Sequence, residues 1–293
     1  MIKEISAKSV LHFHDQTFAT NWDVNIYRGC GHGCTYCFAR YSHRYLENAD
    51  FFNDIFVKTN VAEVLDREMS RKSWRKLPVN VGGVTDAYQP AEEKYRLMPK
   101  VLRVFIKHRN PMVIVTKSIL PLRDIDLIGQ LAKIAEVNVR VSVSTLDEKI
   151  RKITEPDSPP ASDRLNMLGA FREAGCRIGV LIMPVIPMLT DSEENLRAIF
   201  EMAQKNRVNF VETGTLHLRV GTRDPFMEMV RKNFPDHFRR MNEIYSGPNA
   251  DESYKNFLQP IIRKIKSEYS PWPVYTPPVK VAESGQDLQL SLF

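Results

Sequence analysis

Short runs rich in valine and isoleucine alternate along this chain with longer runs whose apolar residues recur every three or four positions. The first kind predicts strands at Val79–Val84, Met112–Thr116, Val137–Ser144, Arg177–Met183 and Phe210–Leu216. The second predicts helices at Tyr95–His108, Asp124–Ala135, Ser162–Ala174 and Ser192–Asn206. Asp124 and Ser192 stand where helix N-caps are expected, and Gly175 stands where a helix would end. Regular strand–helix alternation implies parallel strands joined by right-handed crossovers. The pattern stops after Leu218. Two further helices are expected, Pro225–Arg240, interrupted at Pro235, and Tyr254–Tyr269, joined by a turn at Ser246–Ala250. Pro271, Pro273, Pro277 and Pro278 then predict an extended strap, followed by a short polar linker and an apolar tip.

Composition adds little until it meets the motifs. The 293 residues are 43% hydrophobic and 26% charged, which provides for a folded core and excludes a wholly disordered chain. The longest apolar run, Val180–Leu189, is broken by Pro184 and Pro187 and is too short to span a bilayer. The first ten residues have no apolar signal core, and four cysteines are too few for a disulfide scaffold, so a cytoplasmic protein is expected. The net charge of +6 permits an anionic partner without naming one.

Three of the four cysteines fall in the segment NIYRGCGHGCTYCFAR, as Cys30, Cys34 and Cys37, spaced C-x3-C-x2-C. Thiolates this close can converge on one metal centre, with Gly29, Gly31 and Gly33 giving the loop its freedom. Three readings are open. Zinc would need His32 or the distant Cys176 as a fourth ligand, and no second cysteine pair exists. A buried thiol cluster needs no metal. An iron–sulfur cube held by three thiolates would leave one iron free to coordinate something else.

The spacing, with Tyr36 just before the third cysteine, resembles the radical S-adenosylmethionine (SAM) superfamily. That resemblance implies a partial, open β/α barrel, a [4Fe–4S] cluster, and S-adenosylmethionine chelated at the open iron. Reductive cleavage of the sulfonium would yield a 5′-deoxyadenosyl radical that takes a hydrogen atom from substrate. It also implies an electron donor such as flavodoxin or ferredoxin. The segments VGGVTDAYQPAEEKY, VIVTKS and VSVSTLDEKIRKITEPDSPP extend the similarity, from about Phe18 to Leu218, to the spore photoproduct lyase-like branch, often labelled DNA repair photolyases.

By position, the resemblance implies that Cys30, Cys34 and Cys37 hold the cluster and that Tyr36 lies near the adenine. Thr85 and Asp86, after Gly82 and Gly83, would lie near the methionine amine. Lys117 would meet the carboxylate, and Ser142 or Ser144 the ribose or methionyl part. One departure stands out. Spore photoproduct lyases carry a hydrogen-donating cysteine, expected just before the Thr/Ser–Asp step. Here that stretch is Gly82, Gly83, Val84, with no thiol, which argues against repair of the spore lesion itself. Cys176 could replace the donor only by facing the barrel interior.

Two features point toward DNA. Arg67, Arg71, Lys72, Arg75 and Lys76 cluster beside Trp74, and Lys94, Arg96, Lys100, Arg103, Lys107 and Arg109 decorate the next helix. The last five residues, Gln289, Leu290, Ser291, Leu292 and Phe293, resemble the bacterial sliding-clamp-binding pentapeptide at every position. The sequence therefore predicts a barrel over residues 1–220, a helical cap over 221–270, and a strap with clamp-binding tail over 271–293. The expected activity is radical chemistry on DNA, lesion repair or base modification. The alternatives are a radical enzyme for a protein or small-molecule substrate, and a non-catalytic clamp-associated iron–sulfur module.

Overall fold

The computed structural model describes residues 1–15, 20–43, 46 and 49–278, so the pentapeptide Gln289–Phe293 lies outside the described residues. Ten strands are seen among them: β1 Ile2–Ile5, β2 Leu11–Phe13, β3 Trp22–Val24, β4 Tyr27–Arg28, β5 Ile55–Lys58, β6 Val79–Val81, β7 Met112–Thr116, β8 Val137–Ser142, β9 Arg177–Val185 and β10 Phe210–Thr215. The helices are α1 Val61–Met69, α2 Ala91–Tyr95, α3 Met98–His108, α4 Ile125–Ala132, α5 Glu148–Thr154, α6 Ala161–Asn166, α7 Leu168–Glu173, α8 Glu193–Lys205, α9 Arg223–Asn233, α10 Pro235–Ile244 and α11 Glu252–Tyr269.

Seven strands form one sheet in the order β10-β9-β8-β7-β6-β3-β2. All neighbours run parallel except the β2–β3 pair. The sheet does not close, so it is a partial barrel with β10 and β2 at its edges. A small sheet, β1-β5-β4, stands beside it and leads into the cysteine loop. It was invisible to periodicity, because strands of two to four residues carry too few alternations.

The five predicted strands and their helices are present, most with shifted ends, except that the helix expected over Ser162–Ala174 is two, α6 and α7, broken at Met167. Ser192 caps α8, accepting from the backbone N–H of Asn195, and Gly175 ends α7 at φ +88°. Asp124 precedes α4 but makes no capping bond; its carboxylate pairs with Arg123 at 2.7 Å instead. Strand β8 stops at Ser142, two residues early, because Asn195 takes over the next backbone groups. Its amide donates to the Ser144 carbonyl at 3.1 Å and accepts from the Leu146 N–H at 3.1 Å. Proline 235 does separate α9 from α10.

The two faces of the sheet differ. Val79, Val81, Met112, Ile114, Val137, Val139, Val141, Ile178, Val180 and Ile182 all join one apolar core with the helices outside. That core continues into Phe226, Met241, Tyr254, Leu258 and Ile262 of α9–α11, so the helical addition is packed on the barrel rather than tethered to it. Alternate residues point the other way, onto the concave face. Residues 271–277 form no regular element, as the prolines predict, and are pinned near the amino ends of β9 and β10. The Asn209 amide donates to the Pro273 carbonyl at 3.0 Å, and Trp272 packs near Phe200. Among the described residues no helix is long and apolar enough to cross a membrane.

Candidate active site

The cysteine loop begins where β4 ends, and its path is set from both sides. Gly29 has φ +88°, and a Cβ there would lie 2.7 Å from the Asp54 carbonyl oxygen and 2.9 Å from that of Phe51. Gly33, at φ +66°, would press a Cβ to 3.0 Å from Asp157 and Pro156. The Cys30 N–H donates to the Phe51 carbonyl at 3.1 Å. On the far side the Thr35 N–H donates to the Thr154 carbonyl at 2.9 Å.

Gln89, unassigned by the motifs, holds the loop's entrance. Its amide donates to the Gly29 carbonyl at 3.0 Å and to the Thr85 hydroxyl at 3.0 Å, and accepts from the Gly31 N–H at 2.9 Å. Thr85 donates its own hydroxyl to the Gly29 carbonyl at 2.6 Å. Gln89 is fully buried, so Gln89→Leu would orphan the Gly31 N–H at a cost of about 1–3 kcal/mol. We expect the variant to show a lower denaturation midpoint and a reduced yield of iron on reconstitution. An unchanged midpoint and full iron loading would refute the stapling role.

Cys30 and Cys34 are buried and Cys37 nearly so. Burial pushes the Cys30 thiol up to about 12, with Asp86 and Cys37 adding to it. Burial likewise raises Cys34 and Cys37, while the Lys117 ammonium draws both back. Cys30 and Cys37 also raise Cys34, so the three thiols share one electrostatic environment. Such a set releases protons when it binds metal. Among the described residues no three His, Cys, Asp or Glu side chains are arranged to share one metal ion. A cluster of several irons, each taking its own thiolate, does not require that. The donor set therefore fits an iron–sulfur cluster bound through three cysteines.

The other predicted residues gather around this loop at the carboxyl ends of the parallel strands, where ligands collect in α/β folds. Asp86 accepts from the Tyr88 N–H at 2.9 Å, the Thr116 hydroxyl at 2.9 Å and the Lys117 N–H at 2.8 Å, and lies 3.4 Å from His32 Nδ1. His32 in turn sits 3.8 Å from the Cys30 sulfur. Burial lowers the His32 pKa, and Asp86 opposes that. Gly82 turns at φ +98°, and Gly83 leaves room for Asp23, whose carboxylate would otherwise lie 2.0 Å from a Cβ.

The Lys117 ammonium donates to the Ser142 hydroxyl at 3.0 Å and lies 5.6 Å from the centre of the Tyr36 ring. Burial would lower it, but Cys34 and Glu155 carry it above its ordinary value. The Ser142 hydroxyl donates to the Met183 carbonyl at 2.8 Å. The Ser144 hydroxyl reaches Glu155 at 3.5 Å.

Two residues absent from the sequence reading anchor this cluster. Glu155 and Arg164 are buried and paired at 2.7 Å. Glu155 also accepts from the Tyr36 hydroxyl, and Arg164 donates to the Ser142 carbonyl at 2.8 Å. The segment EPDSPP around Glu155 was the only hint, and it marked a position without a partner. Cys37 is touched from elsewhere: the Thr222 hydroxyl donates to its carbonyl at 3.2 Å, and Arg219 lies over Phe38 and Tyr41.

Cys176 lies elsewhere. It precedes the first residue of β9, at the amino end of the sheet, buried in the apolar core with its thiol pushed up to about 12 by that burial. It does not meet the condition set for a hydrogen donor, nor can it complete a metal site with the loop. Val84, at the position expected for a donor thiol, packs against the small apolar cluster of Cys30, Ala39 and Phe51. Trp74 is not free to stack on a base, because it is set against Trp22 at 5.1 Å and donates to Asn110 at 2.8 Å. The basic residues beside it precede β6, and Lys107 and Arg109 precede β7, so these lie toward the strands' amino ends, away from the cysteine loop, whereas Lys94 and Arg96 follow β6 at its carboxyl end. Lys107 is paired with Asp66 at 2.7 Å.

Comparison with known proteins agrees with this architecture. An uncharacterized protein of Mycobacterium tuberculosis is 37% identical over 272 residues, covering 91% of this chain and 80% of that one. An uncharacterized protein of Methanocaldococcus jannaschii is 27% identical over 245 residues, covering 84% and 86%. The fold is similar to that of a spore photoproduct lyase variant with bound AdoMet and dinucleoside spore photoproduct. That match has a TM-score of 0.70 and 12% identity, over 92% of this chain and 80% of the other. Residues 24–200, from β3 through most of α8, match the family described as the Radical SAM superfamily, and the chain belongs to that superfamily, whose members bind a [4Fe–4S] cluster and S-adenosylmethionine.

Proposed function

We propose that this radical SAM enzyme acts on DNA in the cytoplasm, repairing a lesion or modifying a base. Cys30, Cys34 and Cys37 would hold the cluster and leave one iron for S-adenosylmethionine. When bound, these cofactors supply a 5′-deoxyadenosyl radical that abstracts a hydrogen atom from substrate. Lys117, a buried ammonium beside Ser142, suits the methionine carboxylate. The Tyr36 ring, fixed through its hydroxyl by Glu155, suits the adenine face. Gly82, Gly83, Thr85 and Asp86 shape the wall beside the methionine amine, with Asp86 oriented by Thr116 and Lys117. Together these groups would orient the cofactor and exclude water from it.

The observation that carries the DNA half is the terminal pentapeptide Gln289-Leu290-Ser291-Leu292-Phe293, since partners of the sliding clamp work on DNA. The likeness in fold to a lyase holding a dinucleoside lesion supports the same reading. With no thiol at Val84, and Cys176 at the far end of the sheet, the spore lesion itself is a poor candidate.

The test uses reconstituted, reduced enzyme, S-adenosylmethionine deuterated at the 5′ carbon, and damaged DNA carrying a loaded clamp. We expect DNA-dependent 5′-deoxyadenosine with deuterium exchange. We also expect the full chain to bind the clamp and a chain ending at Asp287 to lose that affinity while still cleaving cofactor. Cofactor cleavage indifferent to every DNA would overturn the substrate reading. Undiminished clamp affinity after truncation would overturn the role of the tail.

A further inference from the structure

The concave face of the barrel carries polar groups that neither the cluster loop nor the cofactor residues use. On β8 the residues pointing inward are Asn138, Arg140 and Ser142, and the register pairs Asn138 with Arg177, and Arg140 with Gly179, on β9. Phe210 of β10 is opposite Gly179, whose missing side chain makes room for its ring: a Cβ would sit 2.1 Å from the ring edge. The guanidinium groups of Arg140 and Arg177 each lie 5.0 Å from the centre of that ring. Two cations are thereby held beside one aromatic, on adjacent strands: Arg140 starts two residues, about 7 Å, below Ser142 along β8, and Arg177 starts level with Asn138, four residues or about 13 Å below.

Their charge is only loosely answered. The nearest carboxylate to Arg140 is Glu212 at 3.8 Å, and to Arg177 it is Glu136 at 3.7 Å, neither within hydrogen-bonding reach. Arg140 Nε, Arg177 Nε and Asn138 Oδ1 are buried atoms with no hydrogen-bond partner among the described residues. Arg140 and Asn138 are themselves only 8% and 3% exposed. Buried guanidinium donors ordinarily find partners, and two like charges side by side attract an anion. Burial lowers the Arg140 pKa, and Arg177 adds to that, while Glu212 opposes them.

We propose that Arg140 and Arg177, seated on Phe210, form an anion-binding subsite within the barrel for a phosphate group of the substrate. The Arg140 end of the subsite, about 7 Å below Ser142, lies at a depth of the order that separates a nucleotide's phosphate from its base. Only the identity of the anion rests on the DNA reading; the subsite rests on the arginines. Glu212 is the group the phosphate would displace from Arg140.

The test uses reconstituted holoenzyme and two thymidine dinucleotides, one with the natural phosphodiester and one with a neutral methylphosphonate link. By calorimetry the wild type should bind the charged form about ten- to a hundredfold more tightly, and Arg140→Gln should erase that preference. Arg177→Gln, at a half-exposed position, serves if Arg140→Gln fails to fold. A preference that survives in a folded Arg140→Gln or Arg177→Gln would overturn the subsite while leaving the DNA reading intact. If neither dinucleotide binds the wild type, inorganic phosphate decides. Protection of Arg177 from phenylglyoxal by phosphate would uphold the subsite and count against nucleic acid; no protection would overturn the subsite.

Discussion

Replacing any one of Cys30, Cys34 or Cys37 with alanine is expected to abolish cluster assembly and with it all 5′-deoxyadenosine formation. Each thiolate would hold its own iron, and the loop contains no spare. The fourth cysteine, Cys176, lies in the apolar core at the opposite end of the sheet, too far to substitute. The chain should still fold, because loss of one small buried side chain costs about 1 kcal/mol. The measurement is iron content, visible absorption and 5′-deoxyadenosine after anaerobic reconstitution, with circular dichroism to confirm folding. Cys176→Ala should keep its iron and its activity. A fully loaded Cys34→Ala, or an iron-free Cys176→Ala, would overturn the ligand assignment.

The second large effect belongs to stability. Arg164→Met leaves Glu155 buried without its guanidinium, and breaking a buried pair in this way costs about 3–5 kcal/mol. Against a total of about 5–15 kcal/mol for a domain, the loss should be plain in a denaturant midpoint. The effect has a pH signature. Burial alone would raise Glu155, but Arg164, Lys117 and the Tyr36 hydroxyl together hold it below its ordinary 4.5. A carboxyl depressed in the folded state stabilises fully above its unfolded value, and that share is lost as pH falls through the folded one.

In Arg164→Met the main compensation is gone and burial dominates, so the Glu155 pKa rises above 4.5. Stability then falls as pH rises through the new value. The deficit relative to wild type should be larger at pH 8 than at pH 5. Glu155→Gln on the Arg164→Met background should recover part of it, by removing the unpaired charge. A deficit that does not change with pH would show that Glu155 is not the group responsible.

The five main strands, their helices and the cysteine motif were all legible in sequence, for identifiable reasons. Val137–Ser142 alternates in period two, Glu193–Lys205 carries a helical stripe behind a serine cap, and three cysteines within eight residues have few structural uses. What escaped was whatever depends on long-range pairing. Gln89 meets Gly29 across sixty positions, and Tyr36 meets Glu155 across 119. A polar residue that serves a distant backbone leaves no local period. The same limit misplaced the aromatic of the basic cluster, since Trp22, which packs against Trp74, lies 52 residues earlier.

The alternation in β8 has a consequence for folding as well as for binding. Parallel strands covered on both faces usually read as continuous apolar runs, and such runs tolerate sliding against their neighbours. Strand β8 reads Val-Asn-Val-Arg-Val-Ser, with its neighbours in register on each side. A slip of one residue would drive Asn138 and Arg140 into the layer of Leu131, Leu165 and Phe171 and expose three valines inward. Burying an unpaired guanidinium there costs far more than any gain from the shifted pairing. The polar seam that lines the barrel thus also keeps this interior strand from assembling out of step.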